Sequence, residues 1–172
     1  MKPVKWGILS TAKIGVEKVI PGMMKSRELQ IVAIASRDLK RGEAAAKALG
    51  IPKAYGSYEE LLADPEIEAI YNPLPNHLHV PLTLEAAKHG KHVLCEKPIS
   101  LSVAEAKTLL KVPKKILIEE AFMVRHNPQW HEISRLVREG VIGRVQSLHM
   151  MFSYHLVDPD NVRNKADIGG GG

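Results

Sequence analysis

Short apolar runs and helical periodicities alternate from Val4 to Ala121, and that alternation commits the chain to a parallel sheet with crossover helices on its faces. Val4 to Leu9 reads as a first strand. Val16, Val19, Ile20 and Met23 then recur at i, i+3, i+4 and i+7, one face of a helix that Pro21 and Gly22 should kink or shorten. Ile31 to Ala35 is an apolar run suited to a strand buried on both faces, and Leu39 to Leu49 is an Ala-rich helix closed by Gly50. Ser57 and Glu60 form a capping box for a short helix that Asp64-Pro65 ends, with Ile67 to Tyr71 as the following strand. A helix within Leu78 to His89 stops at Gly90, and Lys91 to Cys95 is a strand. Ser102 and Glu105 cap another helix, after which Lys115 to Ala121 returns as a strand. The expected fold class is α/β, a doubly wound parallel sheet of about 120 residues.

Past residue 122 the pattern changes. Asn127-Pro128 is an N-cap followed by proline at the first helical position, and Trp130, Ile133 and Val137 form an apolar stripe up to Gly140. From Arg144 to His155 the residues alternate, with Leu148, Met150, Phe152 and Tyr154 on one face, as expected of a half-buried antiparallel strand. Two units are therefore expected, residues 1–122 and the start of a mixed α/β open-sheet domain in 123–172. One helix and one strand cannot enclose a core, so the second unit reads as incomplete.

Composition narrows the function classes. With 45% apolar and 25% charged residues the chain reads as globular, and no apolar run approaches the roughly 18 residues of a membrane-spanning helix. The N-terminus enters a strand without a signal-peptide pattern, so the expected address is cytoplasmic. The formal charge of +5 does not imply nucleic acid, because basic residues are interspersed with acids and only Lys111 to Lys115 forms a small cluster. Cys95 is the only cysteine, which excludes an intrachain disulfide and a thiolate cluster, and its apolar setting fits a buried residue rather than a nucleophile. His77 and His79 diverge at i, i+2 with no accompanying carboxylate, so no metal site is expected.

The turn after the first strand is where a phosphate-binding loop would lie. Laid on G-x-G-x-x-G, residues Ser10, Thr11, Ala12, Lys13, Ile14 and Gly15 retain only the last glycine. Ser10 and Ala12 are small enough to allow a tight turn and close approach to a pyrophosphate at a helix N-terminus, while Gly15 should keep the helix close to the strand. Alone, the loop reads equally as an ordinary strand-to-helix turn. The second strand ends in Ser36-Arg37 with no acid at its tip. An arginine there accommodates a 2'-phosphate and a serine hydroxyl adds a donor; an exposed surface arginine is the plain alternative. Asp38 more naturally caps the following helix.

Two further motifs fall at the carboxyl ends of strands, where open α/β sheets bind ligands: Tyr71-Asn72-Pro73-Leu74-Pro75-Asn76-His77-Leu78-His79 and Glu96-Lys97-Pro98. Lys97, held by the following proline beside Glu96, can donate to a substrate oxygen whose charge changes during hydride transfer, and partial burial would suit it to acid-base work. A surface lysine paired with Glu96 is the competing reading.

The segments "WGILSTAKIG", "IVAIASRD", "YNPLPNHLHVPLTLEAAKHGKHVLCEKP", "EEAFMVRHNPQW" and "NVRNKADIGGGG" together resemble the glucose-fructose oxidoreductase, inositol dehydrogenase and MocA family over essentially the whole chain. "GKHVLCEKP" is the most specific of them. "EAFMVRHNPQW" and Ser36-Arg37 look most like the NADP-dependent D-xylose 1-dehydrogenase and trans-dihydrodiol dehydrogenase types. The resemblance implies a Rossmann domain followed by a domain for substrate contact and homo-oligomer packing. It implies NADP as cofactor, with NAD possible, and hydride transfer at a CH-OH or C=O carbon of a sugar, polyol or related diol. Lys97 would be the catalytic lysine, with Glu96 and Pro98 beside the nicotinamide. Ser10, Thr11, Ala12, Lys13, Ile14, Ser36, Arg37, Leu74, Asn76 and His79 would complete the cofactor set, the last two near the nicotinamide ribose. Arg125 and His126 match positions of substrate contacts. Family members run on past the glycines to an aspartate and then a His or Tyr that shares the acid-base work, so the chain reads as a fragment. A non-catalytic dinucleotide-binding sensor or interaction module is the rival class. An S-adenosylmethionine-dependent methyltransferase ranks last, because it would want an acid where Ser36 stands.

Overall fold

The computed structural model describes residues 2–170. Six parallel strands form one sheet in the order β3-β2-β1-β4-β5-β6: β1 (Val4–Leu9), β2 (Leu29–Ala35), β3 (Lys53–Tyr55), β4 (Ala69–Asn72), β5 (His92–Glu96) and β6 (Ile118–Ala121). The direction of winding reverses between β1 and β4, which opens a crevice at the carboxyl ends of those two strands. This is the doubly wound sheet expected from the alternation, in the strand order of the Rossmann domain that the resemblance implies.

Strand residues alternate between the two faces, except in β2, where the register with β1 shifts opposite Trp6 and Gly7 and the neighbours Val32 and Ala33 join the same cluster. On one face Ile8, Ile31, Ile34 and Tyr71 pack with Ile20 and Ala46. Those two residues come from α1 (Ile20–Met23) and α2 (Leu39–Leu49). On the other, Leu9, Val32, Ala33, Ala35 and Ile70 pack with Leu61, Leu62 and Ala86. These belong to α3 (Tyr58–Ala63) and α4 (His79–Lys88). Gly7 makes the second contact possible, since a Cβ there would stand 2.8 Å from Leu61 Cδ2 and 2.9 Å from Ile67 Cδ1.

The caps follow the sequence. Asp38 accepts from the Arg41 amide and Ser57 from the Glu60 amide, while Ser102 accepts from Glu105 at the start of α5 (Val103–Leu109). Gly50 ends α2 in a left-handed conformation at φ 69°.

Several expectations need correction. The first helix is a π-helical turn, Gly15–Val19, running into the short α1, because Pro21 has no N–H with which to continue a regular ladder. β3 is an additional edge strand: three half-buried residues, Lys-Ala-Tyr, carry no apolar run to announce it. The strand expected over Ile67 to Tyr71 is Ala69–Asn72, although Ile67 still packs in the core, and the last strand begins at Ile118 because the backbone turns between Pro113 and Ile116. The expected helix after Asn127 is α6 (Pro128–Arg138), with Asn127 accepting from the Gln129 amide. Arg144 to His155 does not form the expected strand. Its alternation is present, but no described residue offers it a ladder, and Leu148, Met150, Phe152 and Tyr154 are exposed.

Candidate active site

The crevice is lined by the segments that follow β1, β2, β4 and β5. Ser10 ends β1 at φ 89°, the left-handed region that a glycine would occupy without strain. Its amide donates to Ala35 on β2, and its Oγ accepts the Ala12 amide at 2.9 Å. The side chain thus ties down the conformation that its Cβ disfavours. Thr11 and Ala12 are half-buried beside it, whereas Lys13 and Ile14 are exposed at the start of the helical turn. Lys13 lies 3.9 Å from Glu17, a pair open to solvent. Gly15 sits over Tyr71 and Pro73, where a Cβ would make ordinary contacts at 3.5 and 3.6 Å. The close helix-to-strand approach expected of Gly15 is therefore not enforced there; the glycine of β1 that does enforce a close approach is Gly7, towards α3 on the opposite face.

At the tip of β2, Ser36 is buried, its amide donating to Tyr55 and its Oγ accepting from the Asp38 amide at 3.3 Å. Arg37 projects into solvent beside Tyr58. Burial raises the Tyr58 phenol above its ordinary range, and the neighbouring guanidinium opposes that shift. Asp38 is engaged as a helix cap, which leaves Arg37 as the charged group offered at this strand tip.

Between the ends of β4 and β5 lies a connected set of hydrogen bonds. Asn72, fully buried, accepts from the Leu74 amide and donates to the His79 carbonyl. His79 is 1% exposed, with Nδ1 2.6 Å from the Pro98 carbonyl oxygen and Nε2 2.7 Å from that of Leu74. Both ring nitrogens are thus directed at backbone of the two rim loops. The Tyr71 hydroxyl donates to Glu96 Oε1 at 2.8 Å, and Glu96 Oε2 accepts the Lys97 amide at 3.3 Å. Burial, followed by the Glu96 carboxylate, pushes the Tyr71 phenol far up, so it serves as a fixed donor.

Lys97 stands at the tip of β5 and is exposed, not half-buried, because it lies in the turn beyond the strand with Pro98 after it, the peptide between them being cis. Among the described residues Lys97 forms no ion pair, and Glu96 is taken by Tyr71. The pairing of Lys97 with Glu96 is therefore not formed. Leu74 is buried below the rim, and Pro98 is exposed. Asn76 donates from Nδ2 to the Gly169 carbonyl at 2.8 Å. Arg125 and His126 are exposed in the turn Met123–His126 directly after β6, with His126 3.5 Å from Glu119. Cys95 is buried and its thiol pushed up to about 12 by burial, in keeping with an unreactive core residue. No group of three metal-ligating side chains converges among the described residues.

Tyr71, Tyr58 and Gly169 were not assigned from the sequence. Tyr71 carried a signal, a polar aromatic closing an apolar strand beside the rim motif, but its partner lies 25 positions away.

Residues 4–116 match the family model described as an oxidoreductase family with an NAD-binding Rossmann fold. The chain belongs to this oxidoreductase family. An uncharacterized oxidoreductase, ORF334, of Rhizobium meliloti is 52% identical over 99% of this chain and 52% of its own length. D-xylose 1-dehydrogenase (NADP(+)) 2 of Haloferax volcanii is 45% identical over 96% of this chain and 51% of its own. A crystal structure of a 3-ketoreductase from Actinomadura kijaniata in complex with NADP and TDP-benzene superposes with a TM-score of 0.92 at 32% identity, covering 98% of this chain and 52% of that one. The chain spans about half the length of these family members. No helix among the described residues is long and apolar enough to cross a membrane.

Proposed function

We propose that this chain is the dinucleotide-binding half of an NADP-dependent dehydrogenase or reductase acting on a CH-OH or C=O carbon of a sugar, polyol or related diol. The observation that carries the reading is that Arg37 and Lys97 stand exposed at two strand tips on either side of the switch point; in this reading the first serves the adenosine side of the crevice and the second the nicotinamide side. In this reading residues 1–122 form the Rossmann domain and 123–172 begin the substrate domain, through which the complete protein packs as a homo-oligomer. The 45% identity to a D-xylose dehydrogenase supports the substrate class. A cytoplasmic setting is part of the same reading, with which the buried, unreactive thiol of Cys95 accords.

The residues fit the cofactor. A left-handed turn at Ser10 leads the backbone into a helical N-terminus, whose first amides are not used within the helix and suit a pyrophosphate. Arg37 and Ser36 offer donors to a 2'-phosphate where an acid would repel it. When bound, the nicotinamide supplies the hydride chemistry. Lys97 donates to the substrate oxygen as charge develops there, and Tyr71 holds Glu96 beside it. Arg125 and His126 contact substrate from the adjoining turn.

One pair of variants in the full protein tests this. Arg37→Ala should weaken NADPH about ten- to hundredfold while leaving NADH nearly unchanged, read by nicotinamide fluorescence titration. Lys97→Ala should lower turnover on a sugar panel about a hundredfold or more with NADPH affinity retained. Equal losses for the two cofactors would remove Arg37 from 2'-phosphate recognition. NADPH binding without turnover on any sugar would favour the sensor class instead.

A further inference from the structure

Residues far along the chain return to the rim of the crevice. The short turn Ala166–Ile168 ends at Gly169, whose amide donates to Ala166 and whose carbonyl accepts from Asn76 Nδ2, 93 positions earlier. Gly170 closes the same turn by donating to the Lys165 carbonyl at 2.8 Å. Asn76 lies on the loop after β4, and Leu101 lies just past the Lys97-Pro98 turn after β5, so Gly169 is seated between the two loops that carry the candidate site. Two independent features require glycine there. Its φ is 89°, and an added Cβ would stand 2.9 Å from Asn76 Cβ and 2.5 Å from Leu101 Cδ2. The leucine tip can swing aside, but the asparagine Cβ is fixed to its backbone.

We propose that Gly169 and Asn76 form a latch that fixes where the second unit meets the crevice, so that they act as positioning residues for the substrate side of the site next to Lys97. The proposal rests on the oxidoreductase reading, and it gives Asn76 a second task beyond the nicotinamide ribose. A methyl group at position 169 would unseat the turn and shift the second unit against the rim, and a displacement of about 1 Å near reacting groups can cost a hundredfold in rate.

A double-mutant cycle on the full protein decides it. Gly169→Ala and Asn76→Ala should each lower kcat/KM about tenfold for D-xylose, or for whichever sugar of a panel turns over, and the double variant should lose little beyond the worse single. NADPH affinity in Gly169→Ala should stay within about threefold of wild type, which a general loss of folding would not allow. Additive losses, or an unchanged kcat/KM in Gly169→Ala, overturn the latch. Should the wild type bind NADPH and turn over no sugar, the enzymatic reading fails on its own. The latch is then read from amide exchange at Gly170, protected in the wild type and fast in both single variants; equal exchange in all three would overturn it.

Discussion

Ser10 shows how a side chain stands in for a glycine. Its φ of 89° is a left-handed conformation that a glycine adopts freely, and its Oγ recovers a hydrogen bond from the Ala12 amide that helps hold the turn. The same bond occupies an amide that a glycine would leave free for a ligand. Ser10→Gly and Ser10→Ala both remove the hydroxyl, and only the alanine keeps the Cβ. In urea unfolding the glycine variant should therefore be the more stable of the two by about 1–2 kcal/mol. Equal midpoints would mean that the turn relaxes out of the left-handed region. At this turn a serine thus takes a conformation natural to glycine, with the strain held by a local hydrogen bond.

The elements around the crevice are joined by His79, the first residue of α4, which bridges the Leu74 loop and the Lys97-Pro98 turn through its two ring nitrogens. His79→Leu would take away the ring N–H shared between these two carbonyls and leave the buried Leu74 side of the bridge without a polar partner, for an expected loss of about 1–3 kcal/mol in urea unfolding. His77→Ala, two positions away and exposed, should stay within about 0.5 kcal/mol of wild type. Similar losses from both would contradict the bridging role. This contrast also marks how far the sequence reaches. The longer strands and the caps at Asp38, Ser57 and Ser102 were legible because periodicity and capping are local signals. β3 was not, since three residues on an edge carry too little pattern, and the 144–155 alternation promised a strand whose formation depends on a neighbour. At the site, Glu96-Lys97-Pro98 could be singled out from its position after a strand. The roles of Tyr71 and Gly169 could not, because their partners are distant in sequence and come together only through the fold.

Across the whole molecule the two ends of the parallel sheet divide their tasks. The carboxyl ends carry the exposed Arg37 and Lys97, while a closed ionic network ties the amino-terminal side together around the Asp64–Glu66 turn. Asp64 Oδ2 accepts from Lys53 and Tyr55, each at 2.8 Å, and Oδ1 accepts the Glu66 amide; Glu66 also pairs with Lys5 and Lys53. Lys91 donates to the Asp64 and Ile67 carbonyls, and burial lowers its ammonium. Burial alone would raise the Asp64 carboxyl, but the bonds from Lys53, the Glu66 amide and Tyr55 outweigh it and bring the group from 3.8 down to about 2. A folded-state value below the unfolded one means that Asp64 contributes its full stabilisation above the unfolded value and loses it as pH falls from about 4 towards 2. The shift corresponds to about 2 kcal/mol at neutral pH. Asp64→Asn, which cannot ionise, should therefore be less stable than wild type by about that amount at pH 7, and the gap should close towards pH 2 in parallel urea titrations. A gap of constant size across that range would assign the loss to altered packing instead, and would leave the charge on Asp64 without a part in holding the amino-terminal end of the sheet.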